Sequence, residues 1–122
     1  MSLTEDQNTA TYQIKSYLPE KIVVNEETLT RSFIISPNQL IKNWPPQNTE
    51  TLTENDLRQL LTLKPHVILI GTGEKSIILP AKKLACLLEN NFHVECMNTM
   101  AACRTYTVLS AEGRHVVAGI IL

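Results

Sequence analysis

The spacing of apolar residues changes character along the chain, and each change predicts a different kind of element. Between Tyr12 and Ile35 the apolar positions fall in short runs rich in β-branched and aromatic residues, broken by Pro19-Glu20 and by Asn25-Glu26-Glu27. This pattern predicts three antiparallel strands, Tyr12–Leu18, Lys21–Val24 and Thr28–Ile35. The stretch that follows, SPNQLIKNWPPQNTETL, has no period and reads as a long loop. Trp44 is its expected anchor, because an indole buries a large area and Pro45 and Pro46 hold the chain beyond it extended.

From Thr53 the period becomes helical. Thr53 and Asp56 have capping-box spacing, and Leu57, Leu60 and Leu61 recur on one face, so a helix is predicted from Glu54 to about Thr62. Pro65 follows it. His66–Ile70 (HVILI) is continuously apolar, as in a strand buried on both faces, and is predicted as the central strand. Gly71-Thr72-Gly73 breaks that strand, Ser76–Leu79 reads as a brief further one, and Pro80 opens a second helix carrying Leu84, Leu87 and Leu88. Phe92–Cys96 is the next predicted strand. Asn98 or Thr99 caps a third helix that reaches about Ala111, Gly113 ends it, and Arg114–Leu122 is the final strand. Helices alternating with buried strands require a largely parallel sheet in this half. The expected fold is therefore α/β, a three-layer single domain over residues 12–122 with a mixed central β-sheet, antiparallel N-terminal strands and about three helices. A frayed, disordered polar tail is expected over residues 1–11.

Composition narrows the classes of function. Of 122 residues, 43% are apolar, enough for one core. Eleven basic and twelve acidic side chains give a net charge of -1, without the basic excess that nucleic-acid binding requires, so no nucleic-acid partner is expected. The start, MSLTEDQNTAT, is acidic and polar where a signal peptide has a basic end and an apolar run. No apolar stretch approaches the roughly 20 residues of a membrane span. Direct membrane insertion is not expected, and a cytoplasmic location is. Cys86, Cys96 and Cys103 form neither an even set nor a CxxC pair, so neither a disulfide framework nor a zinc site is indicated.

Two places could carry chemistry. The first is the Gly71-Thr72-Gly73 turn, since ligands gather at the carboxyl ends of strands and glycines admit an anion to the backbone. It lacks a third glycine and an immediate helix, and Glu74 sets a negative charge where a phosphate would lie, so a nucleotide site is not supported. The second is ECMNTMAACRTY, where a helix starting near Asn98 and Thr99 would offer free N–H groups and the positive end of its dipole. Cys103 would fall near that end, where its thiol pKa is lowered, and Arg104 could clamp an anion. The candidate ligand-binding pocket therefore comprises Gly71, Thr72, Gly73, Asn98, Thr99, Cys103 and Arg104. A structural reading of these residues stands beside it, with the small side chains serving close helix-on-sheet packing. A thiol redox switch at Cys103 is a third possibility. His66, His93 and His115 each begin a predicted strand, at the rim opposite the carboxyl ends where Gly71–Gly73 and Cys96 lie, which disfavours a Cys–His dyad, and no HxH or HxxxH spacing preorganises a metal site. No catalytic residue and no cofactor is assigned.

PHVILIGTG, FHVECMNTMAACRTYTVL and AEGRHVVAGIIL together resemble the small α/β domain family that includes the mitochondrial respiratory complex I assembly factor 3 and the adipogenesis-associated domain protein. The likeness covers about residues 20 to 122. It implies a three-layer α/β fold around a mixed sheet, no known cofactor and no accepted enzymatic activity. The eukaryotic members resemble assembly or interaction factors, so a protein partner is expected. The family's turn glycines fall on Gly71 and Gly73, and its acid-Thr-x-Ala-Ala-Cys-Arg-Thr-Tyr segment falls on Asn98 to Tyr106. Asn98 replaces the usual Asp and Thr107 the usual Asn. An amide does not titrate but still caps a helix, which favours binding or structure over catalysis. The leading expectation is a non-enzymatic interaction or assembly module, assisting assembly of a respiratory or membrane protein complex. The alternative is a small-molecule, anion-binding protein or enzyme using the pocket between Gly71–Gly73 and the helix near Thr99. An unpaired edge strand could also join two copies as a homodimer.

Overall fold

The computed structural model describes residues 9 to 122. The described residues begin with three short strands: β1 (Ile14–Leu18), β2 (Lys21–Val24) and β3 (Glu27–Leu29). They pair antiparallel in the order β1-β2-β3 through two-residue turns at Pro19-Glu20 and Asn25-Glu26, where Glu20 and Asn25 take positive φ. The expected strand Thr28–Ile35 is in fact two. β3 ends at Leu29, the chain bends through Thr30–Ser32, and β4 (Phe33–Ser36) enters a different sheet. The break is physical: Leu29 packs with the small sheet, whereas all four residues of β4 are buried between two layers.

The second sheet has five strands in the order β5-β4-β8-β6-β7, with β5 (Gln39–Ile41), β6 (Val67–Thr72), β7 (His93–Met97) and β8 (Val116–Ile121). β6 runs parallel to both β7 and β8, while β4 is antiparallel to β8 and to β5. The sheet is mixed, as expected, but the N-terminal strands β1–β3 form a sheet of their own rather than extending it. The middle strand is β8, and β6 lies one place to its side. β5 falls inside the stretch expected to be loop, a strand of three residues being too short to show a period.

Among the described residues three helices complete the fold: α1 (Glu54–Leu61), α2 (Ala85–Leu88) and α3 (Thr99–Ala111). α1 starts with the anticipated capping box, Thr53 Oγ1 accepting from Asp56 N–H and Asp56 returning a bond to Thr53 N–H. α2 is a single turn preceded by turns, much shorter than the leucine spacing suggested, and Ser76–Leu79 is irregular.

Side-chain alternation along the central sheet divides the core. Phe33, Ile35, Val67, Leu69, Val116, Ala118 and Ile120 face α3 and the small sheet. Ile34, Ile68, Ile70, Val117 and Ile121 face α1, α2 and Trp44. The result is the expected three layers. Trp44 is 3% exposed and its indole N–H donates to the Asp56 carbonyl at 3.0 Å, which fixes the long loop to α1.

Candidate functional site

The connection leaving β6 crosses one face of the sheet through α2, and the connection leaving β7 crosses the other face through α3. Adjacent parallel strands whose exits diverge leave a crevice at their carboxyl ends, where α/β proteins bind ligands. Here that crevice opens into a groove of about 890 Å³. Its walls are the Gly73–Ile77 loop after β6, the start of α3 after β7, the end of β8, and the Leu18-Pro19-Glu20 hairpin tip of the small sheet.

The polar groups at this rim hold it together. Thr99 N–H donates to the Gly73 carbonyl at 2.8 Å, and Gly73 N–H donates back to Thr99 Oγ1 at 2.9 Å. The Thr99 hydroxyl in turn donates to the Ile121 carbonyl, so one side chain ties the β6 loop, α3 and β8. Thr72 Oγ1 accepts from Ile77 N–H at 3.2 Å and lies 2.6 Å from the Lys75 carbonyl and 3.1 Å from that of Met97. Asn98 caps α3, its Oδ1 accepting from Ala101 N–H at 2.8 Å while its own N–H reaches Ser76 Oγ. Among the described residues no buried side-chain N or O atom lacks a partner.

Five of the seven expected pocket residues, Thr72, Gly73, Asn98, Thr99 and Arg104, line this groove together. Two do not. Gly71 faces α3, and a side chain there would sit 3.0 Å from Thr99 Oγ1 and 3.2 Å from Ala102 Cβ, so its bareness serves helix packing. Gly73 alone of the pair has the positive φ, 97°, of a turn glycine. Cys103 points into the core and is fully buried, and burial pushes its thiol up to about 12. The lowered pKa expected from the helix dipole is overturned because desolvation exceeds the dipole's pull two residues past the first turn. The anion reading loses two of its donors, since the amides of Thr99 and Ala101 already bond within the protein.

Among the groups the rim leaves open are large apolar side chains. Leu18 (58% exposed), Ile77 (39%) and Met100 (40%) form its lip, and Ile78 (94%) stands beside it. The signal available in the sequence was Ile77-Ile78, an apolar pair inside an otherwise polar glycine loop. Arg104 is exposed at the same wall and has no ion-pair partner among the described residues. The histidines sit where their strands begin, at the opposite rim. The His66 and His115 ring centroids are 6.1 Å apart, and His115 Nε2 lies 2.8 Å from the Leu63 carbonyl. Among the described residues no cluster of three or more His, Cys, Asp or Glu could hold a metal.

Fold and rim together define a small three-layer α/β domain whose strand-end crevice satisfies its buried side-chain polar groups and exposes apolar side chains at its mouth. The chain belongs to the family described as a protein of unknown function (DUF498/DUF598), whose model matches residues 14–121. A solved structure from Bordetella parapertussis is 34% identical, has a TM-score of 0.86, and covers 93% of this chain and 97% of that one. The 13 kDa major membrane protein of Francisella tularensis subsp. holarctica is 28% identical over 122 residues, 99% of either chain. NADH dehydrogenase (ubiquinone) 1 alpha subcomplex assembly factor 3 of Bos taurus is 25% identical over 123 residues, which span 99% of this chain and 66% of that protein.

Proposed function

We propose that this chain is a non-enzymatic interaction module that assists assembly of a respiratory or membrane protein complex from the cytoplasmic side, docking a partner polypeptide in the carboxyl-end groove. The observation that carries the reading is the contrast at the rim. Its hydroxyls and caps are turned inward and satisfied, while Leu18, Ile77 and Met100 stand in solvent. Catalysis needs a polar group with a free valence aimed at substrate, whereas docking needs apolar surface to remove from water. The relative named as an assembly factor supports the same reading. The relative named as a membrane protein supports a place beside a membrane, and among the described residues no helix is long and apolar enough to cross one. No cofactor enters this proposal.

A photo-crosslinking residue at position 77 or 100 in the native host tests it. The expected result is one recurrent adduct at both positions, lost when Leu18→Glu is added. Adducts no different from those formed at exposed Lys64, on the far rim, would overturn it.

A further inference from the structure

The exposed residues of α3 are spaced with an unusual regularity. Met100, Arg104, Val108 and the C-cap residue Glu112 are all exposed and follow one another at intervals of four, so they form a single stripe down the outer face. Within α3 itself the only charged side chain is Arg104, in contrast to α1, which carries Glu54, Asp56 and Arg58. A helix this poor in charge is ordinarily covered on all sides. The stripe is flanked by Ala101, Thr105 and Ala111, small enough to let another helix approach closely.

The two charges of the stripe are eight residues apart with Val108 midway between them. Neither Arg104 nor Glu112 has an ion-pair partner among the described residues. Glu112 also stands at the negative end of the helix dipole, where a carboxylate is unfavourable. We infer that α3 is the contact of a symmetric homodimer, in which two copies of α3 cross antiparallel about a two-fold axis at Val108.

That axis sets Val108 against its own copy and brings Arg104 of each protomer opposite Glu112 of the other, twice over. An isologous contact must be complementary to itself, and this stripe is. Ridges of residues four apart pack into the grooves of an identical helix at about -50°, the commonest crossing in globular proteins. The pairing supplies Arg104 with the carboxylate it needs if an apolar contact is to cover it. This inference goes beyond the groove reading and stands without it. Because Met100 and Arg104 belong both to the stripe and to the groove wall, self-association and partner docking would exclude each other.

Sedimentation equilibrium of the intact chain from about 10 μM to about 1 mM tests the dimer, a range that covers weak association. The expected result is a reversible shift from one to two protomers. Arg104→Glu and Glu112→Arg should each weaken it about tenfold or more, the effect of losing about 1.4 kcal/mol. The double variant R104E/E112R should restore it, and Val108→Glu should abolish it. All three positions are in solvent, so unchanged melting curves would show the variants fold. A wild-type chain that stays monomeric throughout, or a dimer indifferent to both charge reversals, would overturn the inference. Leu18→Glu, which tests the groove, should leave the dimer intact.

Discussion

The Trp44 ring occupies the space that a side chain at residue 119 would need. A Cβ built on Gly119 would lie 2.6 Å from Trp44 Cη2 and 2.9 Å from Cζ3, and Leu60 Cδ2 closes the remaining side at 3.1 Å. The glycine in the middle strand is therefore a socket for the indole. Gly119→Ala should cost about 1–3 kcal/mol by overpacking. Trp44→Ala should cost about 3–5 kcal/mol by leaving a cavity. In the double variant the alanine methyl partly refills that cavity, so urea denaturation should show a total smaller than the sum by about 1 kcal/mol. Strict additivity would mean the two residues are not in contact.

Thr99 is the second critical joint. Thr99→Val keeps its shape but leaves Gly73 N–H and the Ile121 carbonyl without the hydroxyl, and should destabilise the fold by about 1–3 kcal/mol. Thr99→Ser retains the hydroxyl and should lose less than half as much. Equal losses would assign the effect to the methyl group. Hydrogen exchange at Gly73 should accelerate in the valine variant alone.

Burial raises the Cys103 thiol from its ordinary 9.0 to about 12. The unfolded chain therefore ionises first as pH rises. The resulting stability is complete below pH 9 and is lost as pH climbs toward 12, at up to about 1.4 kcal/mol per pH unit. Burial also raises Tyr106, from an ordinary 10.0, and the thiols of Cys86 and Cys96, so they act in the same direction. Denaturation midpoints should fall above pH 9, and Cys103→Ala should flatten the fall without removing it. In the folded protein at pH 8, alkylation should reach the partly buried Cys96 before the fully buried Cys103. Rapid modification of Cys103 would revive the redox switch.

The groove's volume falls within the range of small-molecule clefts, about 300–1,000 Å³. A ligand at 100 times its dissociation constant would stabilise the protein by about 2.7 kcal/mol. A panel of phosphates and carboxylates should nevertheless leave the melting temperature unchanged, since two of the three amides of the first turn of α3, those of Thr99 and Ala101, are already used within the protein. A shift that vanished in Arg104→Ala would reverse the assignment in favour of an anion site.

Patterns confined to one element were legible in advance, and relations between elements were not. The capping box at Thr53, the Asn98 cap, the Gly113 stop and the burial of Trp44 depend on spacing or bulk within a few residues. The division of Thr28–Ile35 between two sheets depends on which layer each half meets, and no local period records that. Gly71 and Gly73 look alike in the sequence, yet one is bare to admit α3 and the other to turn the chain. Cys103 was misplaced for a related reason. Its distance from the helix start was readable, but its side of the helix depends on how α3 lies against β6 and β8. Leu18 and Met100 went unnoticed because a groove assembled from a hairpin tip, a loop and a helix exists only after folding.

The position of β8 has a consequence for biosynthesis. The middle strand of the central sheet comes later in sequence than the other four, and it joins β4 to β6. Until residues as far as Ile121 have left the ribosome, the nascent chain holds two half-sheets with nothing between them. The central sheet cannot be completed from its amino end as the chain is made. It must remain open, with both flanking strands exposing unpaired edges, until translation delivers the strand that closes it.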